Sequence, residues 1–197
     1  MLTLLAIDNA GSDYEIFAPN VMQHHVINHL TGNVTDESRN VLVESARIAR
    51  GRIKALTEYN PADFDALVFP GGYGAAKNLC TYAFDGVDCR VDRVVEAAIR
   101  DTHRAKKPLG ALCISPALIA RVLGDVTVTI GNDKTTASDI ESLGGKHETK
   151  KHGEVCVDEK NLIVTAPCYM LDSNISDIAL DAAEMIRAVI SLAGKTR

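Results

Sequence analysis

Apolar residues in this chain fall into two rhythms. The first is a set of short runs: the continuous apolar Ala66 to Phe69, Leu109 to Leu112, and the β-branched-rich Val126 to Ile130 and Leu162 to Ala166. Pro70-Gly71-Gly72 closes one, Gly131-Asn132 another and Pro167 a third. Runs of that length, rich in β-branched residues and bounded by turn formers, predict strands buried on both faces. Glu15 to Ala18, stopped by Pro19, predicts a further short strand.

The second rhythm is helical. Val91, Val94, Val95, Ala98, Ile99 and Thr102 recur along one stripe. Ser38 to Arg50 carries Val41, Ala46 and Ile48, with Gly51 as a stop signal. Ile175 to Ala193 repeats apolar residues at 175, 178, 179, 182, 186, 189, 190 and 193. Strand-like runs alternating with helical stripes predict an α/β domain, doubly wound, with a mostly parallel sheet and helices on both faces. With no internal repeat, low-complexity tract or linker, residues 1–197 read as a single domain.

The opening segment fits two descriptions. Leu2 to Ile7 followed by Asn9-Ala10-Gly11 reads as a strand and turn, or as the tail of a helix with a glycine cap. A doubly wound domain opens with a strand. If Leu2 to Asp8 is helical, that first strand is missing from the chain.

Composition narrows the function classes. The 197 residues are 46% hydrophobic and 24% charged, as in ordinary globular domains. A formal net charge of −5 argues against nucleic acid as a partner. No apolar run approaches the ~18 residues of a membrane span, so no membrane partner is expected. Met1 to Ile7 lacks the basic lead and the length of a signal peptide. Five cysteines (80, 89, 113, 156 and 168) without a C-x-x-C pair predict reduced thiols, no metal site and, by default, a cytoplasmic address.

Candidate chemistry centres on Cys113. In Pro108-Leu109-Gly110-Ala111-Leu112-Cys113-Ile114-Ser115-Pro116 it sits where an apolar strand ends and a proline-started helix begins. A sharp strand-to-helix turn holds a side chain out of the core, and the unpaired amides of the helix start favour a thiolate. Other folds present a catalytic serine this way. The competing reading is a buried, inert thiol. Gly71-Gly72 lets backbone approach a ligand closely, or is simply a strand-ending turn. Cys80, Cys89, Cys156 and Cys168 lack an elbow and read as structural, although Cys168, after Pro167 at a strand end, has the same carboxyl-edge rim open to it.

Several segments in order resemble the ElbB-like family, an amidotransferase-like branch of the class I glutamine amidotransferase and PfpI-peptidase superfamily. They are Phe69-Pro70-Gly71-Gly72-Tyr73-Gly74-Ala75-Ala76-Lys77-Asn78-Leu79, the Cys113 elbow, Val26-Ile27-Asn28-His29-Leu30-Thr31-Gly32, Ser38-Arg39-Asn40-Val41-Leu42, Ala46-Arg47-Ile48-Ala49-Arg50-Gly51 and Thr165-Ala166-Pro167-Cys168-Tyr169-Met170. The resemblance spans essentially the whole chain. It implies a flavodoxin-like sheet and a cofactor-independent cysteine enzyme of glyoxalase type, a lyase converting glyoxal to glycolate. It also implies a homodimer, an association with isoprenoid biosynthesis and, for eukaryotic members, a mitochondrial address. ElbB-like proteins begin with a strand, a glycine turn and an acidic segment carrying a glutamate that contacts the cysteine. This chain enters near Leu2, after that region.

On this basis Cys113 is the candidate nucleophile toward a small carbonyl substrate. Gly71, Gly72, Ile114, Lys77 and Asn78 are pocket candidates, with the amides of Gly72 and Ile114 as oxyanion donors. His29 and Glu44 are the possible bases, although a lone histidine such as His29 is more often a surface or packed group, and Glu44 reads also as a helix-surface partner of Arg47. Peptidase chemistry in this superfamily uses a histidine directly after the cysteine; Ile114 stands there instead. Two alternatives stay open: a pseudoenzyme or binding module, and a glutaminase-type subunit using His152-Gly153-Glu154. The latter lies in a charged stretch, Lys146 to Glu154, expected to be a solvated loop.

Overall fold

The ambiguous first segment is a helix, α1 (Leu2–Asn9), in the computed structural model, which describes residues 1–195. Its end explains why the sequence read both ways. Gly11 takes φ +68°, its N–H donates to Asp8 O at 2.9 Å, and the Ser12 N–H reaches back to Ile7 O at 3.2 Å. That is a helix-terminating motif built on a left-handed glycine.

β1 (Phe17–Ala18) follows, then a hairpin of β2 (Val26–Ile27) and β3 (Val34–Thr35). Helix α2 (Val41–Ile48) begins later than Ser38 because the Asn40 side chain accepts the Val43 N–H as its cap. β4 (Lys54–Ala55) pairs parallel with β1. β5 (Leu67–Phe69) runs into the glycine turn, a π-helical turn (Ala75–Leu79) and the short helix α3 (Tyr82–Asp85). In α4 (Arg93–Arg104) the Asp92 carboxylate accepts from Val94 and Val95, which leaves Val91 outside the helix, bridged to Cys80. The elbow strand β6 (Leu109–Leu112) leads to α5 (Ser115–Leu123). Thereafter come β7 (Thr127–Val128), α6 (Lys134–Ser142), β8 (Lys146–His147), β9 (Cys156–Asp158), β10 (Ile163–Ala166) and α7 (Ile175–Lys195).

The largest sheet has the order β5-β6-β10-β9. β5, β6 and β10 are parallel, with Leu67 and Ile163 both opposite Leu109; β9 closes the far edge antiparallel. Alternate side chains enter two cores, as the period of two requires. Leu109, Ala111 and Ile163 pack with Val95 and Ile99 of α4 and Ile119 of α5. Leu112, Val164 and Ala166 pack with Ala182, Met185 and Val189 of α7, and α1 lies against α7. At Gly110 a Cβ would lie 2.7 Å from Met185 Sδ, so only glycine lets α7 settle this close to β6. The expected doubly wound, mostly parallel α/β architecture is present.

One expectation is corrected. The charged stretch from Lys146 is not all solvated loop, because Lys146–His147 pairs parallel with β7. Backbone ladder bonds tolerate charged side chains on an exposed face, so charge alone hid this strand.

Candidate active site at the strand-to-helix elbow

β6 ends at Leu112 and α5 begins at Ser115, so the chain turns within Cys113 and Ile114. Cys113 accommodates the turn at φ +60°, a left-handed conformation that costs a non-glycine residue about 1–3 kcal/mol. Two constraints hold it there. The Cys113 N–H donates to Ala166 O of β10 at 3.1 Å, and Ala117 N–H donates to Ile114 O at 3.1 Å, starting the helix. Pro116 fits in that first turn because no N–H is needed there.

Exposure separates this thiol from the others. Cys113 is half-buried, whereas Cys80, Cys89, Cys156 and Cys168 are buried. Burial pushes Cys80 up to about 11 and Cys156 up to about 12, so both remain protonated at neutral pH.

The glycine turn faces the elbow. Gly71 takes φ +84°, and a Cβ there would lie 2.6 Å from Leu112 O and 2.8 Å from the Cys113 Cβ. Gly72, at φ +89°, has open space where a side chain would point. Among the described residues neither the Gly72 nor the Ile114 N–H is donated to another group, which leaves both amides available to an oxyanion.

The other pocket candidates are engaged with a different segment. Lys77 Nζ lies 3.4 Å from His25 Nδ1 and 4.9 Å from the Tyr73 ring centroid. Partial burial, His24 and Lys77 together lower the His25 pKa, favouring a neutral imidazole. The Asn78 side-chain oxygen accepts the His24 N–H at 2.8 Å, tying the two segments together. Sequence reasoning did not pair His25 with Lys77, because 52 positions separate them.

The two base candidates lie in the β2–β3 hairpin and on α2. His29 is exposed in the turn of the β2–β3 hairpin. Glu44 accepts from Arg47 at 2.8 Å and lies 3.6 Å from Arg39; these cations hold its carboxyl below the usual range. No hydrogen bond or ion pair joins either residue to Cys113 among the described residues.

A polar cluster lies on the β10 side of the elbow. Asp181, fully buried in α7, accepts the Cys168 N–H at 2.9 Å and the Gly153 N–H at 2.7 Å. It also takes a 2.8 Å hydrogen bond from His152 Nδ1. Ser173 Oγ stands 3.0 Å from His152 Nε2 and donates to Leu171 O. Burial opposes charge on His152, but Asp181 and the Asp172 carbonyl outweigh it and raise the imidazolium pKa. Cys168 is held at φ +46°; burial, Asp181 and neighbouring Cys113 push its thiol up to about 12. The His152–Glu154 couple is therefore not formed. His152 turns inward to Asp181, while the Glu154 side chain accepts the Lys151 N–H at 2.9 Å. The signal for Asp181 was a charged residue on the inward stripe of α7, beside Ile178 and Ala182.

Ser115, the first residue of α5, is 1% exposed, and among the described residues its hydroxyl has no hydrogen-bond partner. Among the described residues no group of three or more His, Cys, Asp or Glu side chains is placed to hold a metal ion.

No family model matches the chain. It is 44% identical to the rat "ES1 protein homolog, mitochondrial", covering 98% of this chain and 76% of that one. It is 45% identical to the human "glutamine amidotransferase-like class 1 domain-containing protein 3, mitochondrial", covering 98% and 75%. A crystal structure of an isoprenoid biosynthesis protein with amidotransferase-like domain from Ehrlichia chaffeensis superposes with a TM-score of 0.91 at 36% identity, covering 97% of this chain and 88% of that one. Drosophila melanogaster DJ-1beta shares the fold alone, at a TM-score of 0.53 and 15% identity over 99% of this chain and 88% of that one.

Proposed function

The chain belongs to the family of ES1 proteins and glutamine amidotransferase-like class 1 domain-containing proteins, and from that footing we propose that it is a cofactor-independent, glyoxalase-type enzyme acting through Cys113. The observation that carries this reading is the Cys113 side chain itself. It is half-buried, held at φ +60° between a buried parallel strand and a helix start, and faced by Gly71. Ligands in open α/β sheets bind at this carboxyl edge.

The chemistry balances without an oxidant. The Cys113 thiolate adds to one aldehyde carbon of glyoxal, and the oxyanion takes up a proton to give a hemithioacetal. A base removes the proton from that carbon, and protonation at the neighbouring carbon through an enediol gives the glycolate thioester. Water cleaves the thioester, releasing glycolate and restoring the thiol. The amides of Gly72 and Ile114 are suited to the oxyanions of the first and last steps; one such donor contributes about 10²–10³ in rate.

A second reading, a binding module without turnover, is favoured by one observation. Glu44 is engaged by two arginines and His29 stands exposed in a hairpin turn, so neither candidate base is joined to the elbow. Glutamine hydrolysis lacks such support, since His152 is committed to Asp181 rather than Glu154.

Glycolate formation from glyoxal by the purified chain, with Cys113→Ser as control, tests the proposal. Turnover that vanishes in the variant supports the enzyme. A folded protein that makes no glycolate, yet whose Cys113 is protected by glyoxal from alkylation, is the binding module. The reading calls for a small carbonyl substrate and a homodimer, the latter testable by light scattering. The mitochondrial relatives support that address for a eukaryotic source; cytoplasm is our reading otherwise.

A further inference from the structure

Two cysteines meet at the carboxyl edge of the largest sheet. Cys113 follows Leu112, the last residue of β6, and Cys168 stands two places beyond Ala166, the last residue of β10. Leu112 and Ala166 are register partners in the parallel ladder, and the Cys113 N–H donates to Ala166 O at 3.1 Å. The Cys113 side chain packs against the apolar cluster that contains Cys168. Neighbouring strands lie about 4.8 Å apart, inside the roughly 4.4–6.8 Å between Cα atoms that a disulfide spans.

Both residues are held in the left-handed region, Cys113 at φ +60° and Cys168 at φ +46°; the other three cysteines are not. A non-glycine residue keeps such a conformation only where its surroundings fix it, and functional sites collect such residues. For Cys168 the fixing groups are polar. Its N–H donates to the buried Asp181 carboxylate at 2.9 Å, and its carbonyl accepts from the Leu171 N–H at 3.0 Å and the Ser173 hydroxyl at 3.1 Å. The remaining cysteines are engaged elsewhere. The Cys80 thiol donates to Ala75 O at 3.6 Å and the Cys156 thiol to Thr127 O at 3.6 Å, while Arg121 donates to the Cys89 carbonyl at 2.7 Å.

Exposure sets the order in which the two thiols react. Cys113 is half-buried and open to a small oxidant, whereas Cys168 is 3% exposed and shielded from one. A peroxide therefore meets Cys113 first. Cys168 needs no access to solvent, because its target is the sulfur beside it. Burial, Asp181 and the charge of Cys113 together keep the Cys168 thiol protonated. Conversion of Cys113 to a neutral sulfenic acid removes the last of these, so the event that creates the target also eases attack on it.

We propose that Cys113 and Cys168 form a reversible disulfide, in which a peroxide oxidises Cys113 and Cys168 resolves the product. In the first step the Cys113 thiolate attacks a peroxide oxygen. The O–O bond breaks, an S–O bond forms, the sulfur gives up two electrons and hydroxide leaves. In the second step the Cys168 sulfur attacks the Cys113 sulfur. The S–S bond forms, the S–O bond breaks, and the departing hydroxide takes the Cys168 proton to become water. A small dithiol returns two electrons and two protons and restores both thiols. The bond withholds Cys113 from any carbonyl substrate and keeps it from the irreversible sulfinic acid. The inference does not depend on which reaction Cys113 performs.

Peptide mapping of the full chain after brief exposure to hydrogen peroxide tests it. The expected product is a cross-link between the peptides that carry Cys113 and Cys168, monomer-sized in denaturing electrophoresis without reductant and undone by dithiothreitol. Cys80, Cys89 and Cys156 should stay alkylatable. Cys168→Ala and Cys168→Ser should lose the cross-link and accumulate Cys113 as the sulfenic acid, trapped by dimedone, and the sulfinic acid at least about tenfold above wild type. Wild-type protein with Cys113 unmodified, or with sulfinic Cys113 and free Cys168, overturns the proposal. So does a cross-link from Cys113 to another cysteine or to a second chain. The wild-type map decides the outcome even if neither variant folds.

Discussion

Gly71 and Cys113 leave no room for a methyl group between them: a Cβ on Gly71 would stand 2.8 Å from the Cys113 Cβ. Both residues also hold positive φ, so each turn braces the other. Gly71→Ala should therefore destabilise the fold by about 1–3 kcal/mol and displace the thiol. Gly72→Ala, with open space at its Cα, meets only the conformational cost, near 1 kcal/mol. Denaturant unfolding and the alkylation rate of Cys113 would check the pair. Equal effects at the two positions would mean that the tight Gly71 contact carries no weight.

Thiol reactivity should follow burial. Iodoacetamide at neutral pH is expected to modify Cys113 first, because burial keeps Cys80, Cys156 and Cys168 protonated and shielded. Peptide mass mapping after partial labelling reads the order directly, and Cys168 labelled ahead of Cys113 would contradict it.

The His152–Asp181 pair makes stability depend on pH. The folded protein holds the His152 pKa above its ordinary value of 6.5. The stabilisation is thus fully present below about pH 6.5 and is lost as pH rises through the higher folded value. We expect the denaturant midpoint to fall over that interval, and His152→Phe to remove the slope. Asp181→Ala should be worse at every pH, since it also strips acceptors from the Gly153 and Cys168 amides, about 1–3 kcal/mol each. A His152→Phe protein with an unchanged pH slope would assign that slope to other groups.

Glu44 offers a test of the base. Its contacts with Arg39 and Arg47 describe a surface ion pair, so Glu44→Gln should leave glycolate formation within about twofold of wild type. A general base contributes about 10²–10⁴ in rate, so a loss of that size would place Glu44 at the reaction after all.

What could be read directly from the chain was local. The unbroken run Leu109–Leu112 followed by Pro116 predicted the elbow, because strand burial and helix initiation are set within a few residues. The α7 stripe likewise matched its helix. Short elements escaped: β9 alternates buried and exposed positions over only three residues, and β4 and β8 span two each. Such pieces become strands only when a neighbour supplies the ladder.

The amino-acid order by itself determined the two rhythms, the caps and the left-handed glycines, and with them a doubly wound α/β chain bearing a cysteine at a strand-to-helix turn. It left Leu2 to Ile7 undecided, because six apolar-rich residues satisfy either period, and packing against α7 resolved them as a helix. Only the tertiary structure joined His152 to Asp181, 29 positions away, and Lys77 to His25, 52 positions away. Only it brought Phe17 and Val68 to line one cavity. The division has one physical cause: backbone conformation answers to neighbours in sequence, whereas side-chain partners and empty volume depend on how distant segments are brought together by burial of their apolar faces.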